Sequence, residues 1–205
     1  MLYLTGVSNP KVRAVLDTGR LGLLNTPSVA YAVREGWTWA ADSGLFNAAT
    51  YVGDDAYLAW LARQPHKDAC LFATAPDVVG DATASLERSR PFLAPIRALG
   101  YPVALVTQDG LVPDDVPWPE IDWLFIGGTN RHKLGPEAKA LIAAAKRHGK
   151  KVHVGRVNSW QRYSAFAALG CDTCDGTKLA FGPDAHLPLV LSWVERNRRQ
   201  LALAI

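Results

Sequence analysis

The chain has 205 residues, of which 49% are hydrophobic and 20% charged, and its formal net charge is +3. This composition is typical of a globular protein that is long enough to bury one full core. No apolar run approaches the roughly 18 residues that a membrane span requires, and no signal-type segment opens the chain, which predicts a cytoplasmic protein.

Short apolar runs alternate with amphipathic stretches from the N-terminus onward. The apolar runs predict eight strands, at Leu2–Thr5, Leu21–Asn25, Trp37–Ala41, Cys70–Ala75, Val103–Thr107, Trp123–Ile126, Val152–Gly155 and Cys171–Cys174. The amphipathic stretches predict six helices, at Pro10–Thr18, Asp54–Arg63, Asp81–Leu99, Pro136–His148, Ser159–Leu169 and Leu187–Gln200. Helix N-caps are predicted at Asp54, Asp81 and Ser159, and glycines are expected to end helices at Gly100, Gly149 and Gly170.

This alternation favours a compact (β/α)8 barrel of the TIM type, as one domain over residues 1–205. The length is close to the lower limit of about 200 residues for this fold. The main rival is an open, doubly wound sheet. Against it, no Gly-x-Gly-x-x-Gly motif follows the first strand, and no Walker-type loop occurs in the sequence.

In such a barrel, residues at the carboxyl ends of the strands meet at one mouth. Polar or glycine residues stand at these ends, at Asp42, Asp77, Gln108, Gly127, Gly128, Arg156 and Asp175. Paired carboxylates can serve as nucleophile and proton carrier, which predicts substitution at a sugar carbon. The sequence has no histidine-rich metal motif, and the three cysteines are too few for a disulfide framework, so neither metal nor cofactor is expected and the thiols are interpreted as buried.

Four segments in this order resemble the tRNA-guanine transglycosylases, over residues 38–182. They are Asp-Ser-Gly-Leu-Phe-Asn at 42–47, Val-Thr-Gln-Asp-Gly at 106–110, Ile-Gly-Gly-Thr at 126–129, and Val-Gly-Arg at 154–156 followed by Leu-Gly-Cys-Asp-Thr-Cys-Asp at 169–175. The chain is most similar to the short members of this superfamily from bacteriophages and DNA-modification clusters, which place 7-deazaguanines in DNA.

The resemblance implies a role for each matching residue. Asp175 would attack C1′ and form a covalent glycosyl-enzyme, and Asp42 would transfer protons near the base. Asp77 would accept hydrogen bonds from the Watson–Crick edge of the purine. Gln108, together with the backbone of the Gly-Gly turn at Gly127 and Gly128, would read the O6 side and the substituent at position 7.

Ser43, Asn47 and Arg156 complete the substrate-binding set that the resemblance implies. Asn47 stands where the family has glutamine, so this wall of the pocket is expected to differ. The zinc site that supports tRNA binding in the family is missing, which argues against tRNA and against zinc and favours DNA, in the host cytoplasm if the chain is phage-encoded. Basic side chains at Arg131, His132 and Lys133 are expected to contact backbone phosphates.

Several alternatives remain open from the residues alone. Asp42 could form an Asx turn, and Arg156 could bind a phosphate or pair with a carboxylate. Asp172 competes with Asp175 as the nucleophile, although two residues three apart on a strand point to opposite faces. His153 is interpreted as a core histidine with satisfied hydrogen bonds.

The function also has two alternatives. A nucleosidase or deoxyribosyltransferase acting on free nucleosides would use the same carboxylates without DNA affinity. A barrel that binds nucleic acid without catalysis would not depend on Asp175.

Overall fold

Eight parallel strands close into a barrel in chain order, with the last strand paired to the first. The structure is a computed structural model and describes residues 1–203. The strands are β1 Leu2–Thr5, β2 Gly22–Asn25, β3 Trp39–Ala41, β4 Cys70–Thr74, β5 Val103–Thr107, β6 Trp123–Ile126, β7 Lys151–Val154 and β8 Thr173–Asp175. The predicted (β/α)8 architecture is confirmed, and the open sheet is excluded.

Helices cover the outside of this barrel. In the part of the chain that the structure describes they are α1 Pro10–Leu16, α2 Asp54–Arg63, α3 Ala82–Ala98, α4 Asn130–Leu134, α5 Pro136–Arg147, α6 Trp160–Ala168, α7 Lys178–Phe181 and α8 Pro183–Leu203. Within residues 1–203, no α-helix connects β2 to β3 or β5 to β6. These two shorter connections let a chain of this length complete an eight-stranded barrel.

The helix boundaries agree with the capping analysis at two of three positions. Asp81 and Ser159 accept hydrogen bonds from backbone N–H groups three residues on, so both are N-caps as predicted. The prediction for Asp54 is wrong. Gly53 is the N-cap of α2, and the Asp54 carboxylate, in the first turn, accepts a hydrogen bond from Arg88 instead (2.8 Å).

Aromatic side chains fill the inside of the barrel below its mouth. Phe72 of β4 contacts Trp123 and Phe125 of β6, with ring centroids 4.9 Å and 6.2 Å apart. The His153 ring of β7 lies 4.3 Å from the Phe125 ring. Because side chains alternate between the two faces of a strand, these residues form a packed interior below the mouth.

The last strand is displaced from its predicted position, Cys171–Cys174, to Thr173–Asp175. Cys171 belongs instead to the turn after α6. Asp172 lies at the amino end of β8, where its carboxylate accepts hydrogen bonds from the Val152 N–H (2.7 Å) and the Lys146 ammonium (2.5 Å). Asp172 is therefore at the opposite end of the barrel from Asp175 and does not compete for the role of nucleophile.

Two further expectations concern the chain as a whole. All three cysteines are free and buried, as predicted. None of the helices described is both long enough and apolar enough to cross a bilayer.

The cap of α3 gives a test of the helix boundaries. Replacing Asp81 with alanine leaves the Ala84 N–H without its acceptor (3.0 Å). We expect a loss of about 1 kcal/mol in the free energy of unfolding, measured by urea denaturation. Asp81→Asn retains the acceptor and should remain within a few tenths of a kcal/mol of the unsubstituted protein; an equal loss in both variants would contradict the assignment.

Candidate active site

A cavity of about 350 Å³ opens at the carboxyl ends of the strands. All nine residues that the sequence analysis assigned to catalysis or substrate binding line it: Asp42, Ser43, Asn47, Asp77, Gln108, Gly127, Gly128, Arg156 and Asp175. The volume lies within the range of about 300–1,000 Å³ that small-molecule sites occupy. The expected convergence of these side chains is therefore found, while their individual roles stay predictions.

Asp175 is the last residue of β8 and projects into the cavity with both carboxylate oxygens engaged. Oδ1 accepts a hydrogen bond from the Arg156 backbone N–H (3.0 Å), and Oδ2 lies 3.0 Å from Nε2 of His153. The side chain is 15% exposed. Two fixed partners on different atoms hold the carboxylate in one orientation, while each oxygen retains a lone pair for a ligand.

His153 is a core histidine with both ring nitrogens hydrogen-bonded, as predicted, but the sequence did not reveal that one of its partners is Asp175. It is fully buried, with Nδ1 2.8 Å from the Thr173 hydroxyl and Nε2 facing Asp175. If the hydroxyl donates to Nδ1, a neutral ring carries its proton on Nε2 and donates it to the carboxylate. Strand alternation predicts that His153 points inward, but only the register of β7 with β8 reveals its partners.

Arg156 follows β7 with a positive φ of 60°, a conformation that is uncommon outside glycine. This conformation accompanies the hydrogen bond from its N–H to Asp175. Its guanidinium donates to the Gly128 carbonyl (2.8 Å) and lies 4.8 Å from the centre of the Phe46 ring. The side chain of Arg156 thus forms no salt bridge within residues 1–203, and its link to Asp175 is through the backbone.

Asp77 and Gln108 form a buried pair across the loops that follow β4 and β5. The amide nitrogen of Gln108 donates to Asp77 (2.5 Å), and its amide oxygen accepts from the Gly80 N–H (2.9 Å). Burial raises the pKa of the Asp77 carboxyl, and the hydrogen bond from Gln108 partly opposes this rise. Gln108 therefore fixes Asp77 and keeps one amide hydrogen for a ligand.

Asp42 and Ser43 lie in the turn after β3. The Asp42 carboxylate accepts a hydrogen bond from the Gly44 N–H (2.6 Å), which is the Asx turn left open by the sequence, yet it also lines the cavity. Burial raises the pKa of Asp42 to about 7. The hydrogen bond from Gly44 opposes this rise, and the charges of Asp77 and Asp175 add to it. A carboxyl group with this pKa can both donate and accept a proton near neutral pH.

The basic segment after β6 differs from the expected surface patch. Arg131 is exposed, but His132 and Lys133 are 4% and 3% exposed, so these two do not belong to an exposed basic patch as expected. They lie on α4, a helix too short to show an amphipathic period. His132 packs beneath the Gly128 turn, and Lys133 lines the cavity.

The Gly-Gly turn after β6 requires glycine at both positions. A Cβ atom on Gly127 would lie 2.7 Å from the Thr107 carbonyl oxygen. Gly128 has a φ of 75°, and a Cβ there would lie 2.6 Å from the Asp109 carboxylate. The carbonyl of Gly128 accepts the guanidinium hydrogen bond of Arg156, so this turn also positions a charged side chain at the cavity.

No protein-family model and no curated protein sequence matches the chain. Among solved structures, it is similar to a complex described as "PaMucR Phosphodiesterase, c-di-GMP complex", at 18% identity and a TM-score of 0.42. The match covers 70% of this chain and 60% of that chain, which is less than two thirds of its length. A similarity this low gives no information about the reaction or the ligand of this chain. In residues 1–203, no group of three or more histidine, cysteine or acidic side chains is arranged to hold a metal ion.

The raised pKa of Asp42 predicts a pH dependence of stability. Its folded pKa of about 7 exceeds the unfolded value of 3.8, so its contribution is greatest below pH 4 and is lost as the pH rises to 7. Asp42→Asn keeps the acceptor for the Gly44 N–H and cannot ionise. We expect the variant to match the unsubstituted protein at pH 4 and to be more stable by about 1–3 kcal/mol at pH 8, in urea denaturation at both pH values. Equal stabilities at pH 8 would contradict the raised pKa.

Proposed function

We propose that the chain is a transglycosylase that exchanges guanine in DNA for a 7-deazaguanine, such as the 7-cyano form, through a covalent aspartyl-glycosyl intermediate. One observation carries the proposal. A doubly hydrogen-bonded carboxylate, Asp175, shares one cavity with a carboxyl group that can exchange protons, Asp42, and with the buried pair of Asp77 and Gln108.

In the first step, an oxygen of Asp175 attacks C1′ of the deoxyribose. A bond forms between this oxygen and C1′, the bond between C1′ and N9 breaks, and its electron pair leaves with the guanine. Protonated Asp42 can supply the proton that neutralises the departing base. The hydrogen bonds from His153 and Arg156 hold the attacking carboxylate in place before the reaction.

In the second step, the incoming base replaces guanine in the cavity. Ionised Asp42 removes the proton from N9, and N9 attacks C1′ on the face opposite Asp175. The bond between C1′ and the carboxylate breaks, which regenerates Asp175. Two successive inversions retain the configuration at C1′, and the exchange consumes neither water nor a cofactor.

Asp77 and Gln108 offer acceptors and a donor that are complementary to the hydrogen-bonding edge of guanine. The guanine edge presents the N1–H and the 2-amino group as donors beside the O6 acceptor. Asp77 supplies carboxylate oxygens for the donors, and the remaining amide hydrogen of Gln108 suits O6. The backbone of Gly127 and Gly128 borders the same cavity and can approach a ring substituent closely because no Cβ intervenes.

A DNA substrate agrees with the charges near the mouth. Arg131 is exposed there, and Arg162 on α6 donates to Asn130 beside it (3.3 Å). Both guanidinium groups can contact backbone phosphates. A guanine inside a duplex has to leave the base stack before C1′ becomes accessible, at a cost of a few kcal/mol.

Asp175→Asn tests the proposed nucleophile. The protein is incubated with single- or double-stranded DNA and 7-cyano-7-deazaguanine, and the digested DNA is analysed by mass spectrometry for the modified deoxynucleoside. We expect product with the unsubstituted protein and at least about 1,000-fold less with Asp175→Asn, because a neutral amide does not form the ester. Asp172→Asn is the matched control, since this carboxylate lies at the other end of the same strand, and it should retain activity.

Free deoxyguanosine in place of DNA separates the alternative. Exchange on the free nucleoside but not on DNA would contradict the DNA substrate and keep the chemistry. No product on DNA, on tRNA or on nucleoside across several deazaguanines would reject base exchange.

His153 gives a second test, of positioning rather than of attack. His153→Leu removes the partner of Asp175 Oδ2 and leaves the Thr173 hydroxyl without its ring nitrogen. We expect kcat to fall about 10- to 100-fold with little change in KM, because the lost hydrogen bond is to a charged group. His153→Gln can still donate and should recover a large part of kcat; equal losses in both variants would contradict the positioning role.

A further inference from the structure

Two positive charges line the cavity without a carboxylate partner. Lys133 and Arg156 both border it, and neither forms a salt bridge within residues 1–203. Each instead donates to a neutral backbone carbonyl, Lys133 to Gly155 (3.0 Å) and Arg156 to Gly128 (2.8 Å). Lys67 and Lys150 also donate to backbone carbonyls, but neither is buried, whereas Lys133 is.

Lys133 is the more unusual of the two. A lysine is rarely as buried as 3% exposure unless its ammonium group is paired. Its ammonium has three hydrogens, and one of them reaches the Gly155 carbonyl. Burial, together with the charge of the nearby Arg156, lowers its pKa to about 8, and the charge of Asp175 partly opposes the change. The remaining donors of Lys133 are available to a molecule in the cavity that it lines.

The carboxylates that line the cavity do not form salt bridges with Lys133 or Arg156. Both oxygens of Asp175 already accept hydrogen bonds from His153 and from the Arg156 backbone, and Asp77 is held by Gln108. Within residues 1–203, no carboxylate oxygen lies within 4.0 Å of the Lys133 ammonium. Burying a cation without a paired anion costs free energy, because the charge loses its hydration. A ligand that supplies a negative charge removes most of this cost.

We propose that Lys133 and Arg156 form an anion subsite inside the cavity, which binds a negatively charged group of the ligand, a carboxylate or a phosphate. This inference rests on the proposed function for the identity of the ligand and names a charge that guanine itself lacks. The carboxylate would be a substituent of the 7-deazaguanine, next to the Gly-Gly turn. The phosphate would belong to the nucleotide whose C1′ faces Asp175.

Binding measurements with matched ligands test the subsite and separate the two sources. Isothermal titration calorimetry compares 7-carboxy-7-deazaguanine with its neutral 7-carboxamide, and deoxyguanosine 5′-monophosphate with deoxyguanosine. In one of the two pairs, we expect the charged ligand to bind at least about tenfold more tightly than the neutral one. The expected gain is the free energy of one charge-assisted hydrogen bond. A preference in the first pair identifies the base substituent, and a preference in the second identifies the nucleotide phosphate.

Variants of Lys133 test whether the preference for the charged ligand depends on this residue. Lys133→Met should reduce it to less than about twofold, and Lys133→Gln, which still offers a donor to the Gly155 carbonyl, should do the same because it lacks the charge. Lys139→Met, at an exposed lysine on the next helix, is the matched control and should keep the full preference. Preference retained in both Lys133 variants, or affinity lost equally for charged and neutral ligands, would overturn the proposal.

Inorganic phosphate separates failure of the subsite from failure of base exchange. It should raise the melting temperature of the unsubstituted protein and not that of Lys133→Gln, whatever the base specificity. Phosphate stabilisation without any base exchange would retain the subsite and reject the proposed function. Base exchange without a preference for any anion would retain the function and reject the subsite.

Discussion

Closure of the barrel between β1 and β8 is the constraint on which the site depends. Leu4 of β1 pairs with Asp175, and the ladder on the other side of β8 pairs His153 with Thr173. Because side chains alternate along each strand, this register points His153, Thr173 and Asp175 inward and Asp172 outward. A shift by one residue would exchange these faces and remove the carboxylate from the cavity. The hydrogen bonds of Asp172 at the amino end of β8 oppose such a shift.

The aromatic filling of the barrel determines the electrostatics above it. Phe72, Trp123 and Phe125 exclude water from the interior, so the polar groups of the site lie on an apolar floor. In such surroundings, a buried carboxyl group favours its neutral form, which explains the raised pKa of Asp42 and of Asp77. Hydrogen bonds to the same groups act in the opposite direction. In Asp42 and Asp77, burial is the larger of these opposing effects, so both pKa values stay above the ordinary value of a carboxyl group.

The sequence predicted the strand order, six of the helices and the set of residues at the strand ends, because each depends on local patterns. It missed α4 and α7, whose four or five residues are too few for a helical period. It also misjudged Lys133, because the burial of this side chain depends on contacts with the loop after β7, which is distant in sequence. His153 shows the same limit. Its inward direction follows from alternation, but its contact with Asp175 requires the register of two strands that are far apart in sequence.

The absence of an α-helix between β2 and β3 has a consequence for how this barrel can change. The connection begins at the rim of the cavity, where Thr26 and Ser28 line the wall and lie within hydrogen-bond distance of each other (3.1 Å). Neither Asp42 nor Asp175, the two residues proposed to react, comes from this loop. Surface connections tolerate insertion and substitution better than the elements that they join. Residues 26–38 can therefore be varied to change which molecules enter the cavity, while Asp42, after β3, and Asp175, at the end of β8, are left unchanged.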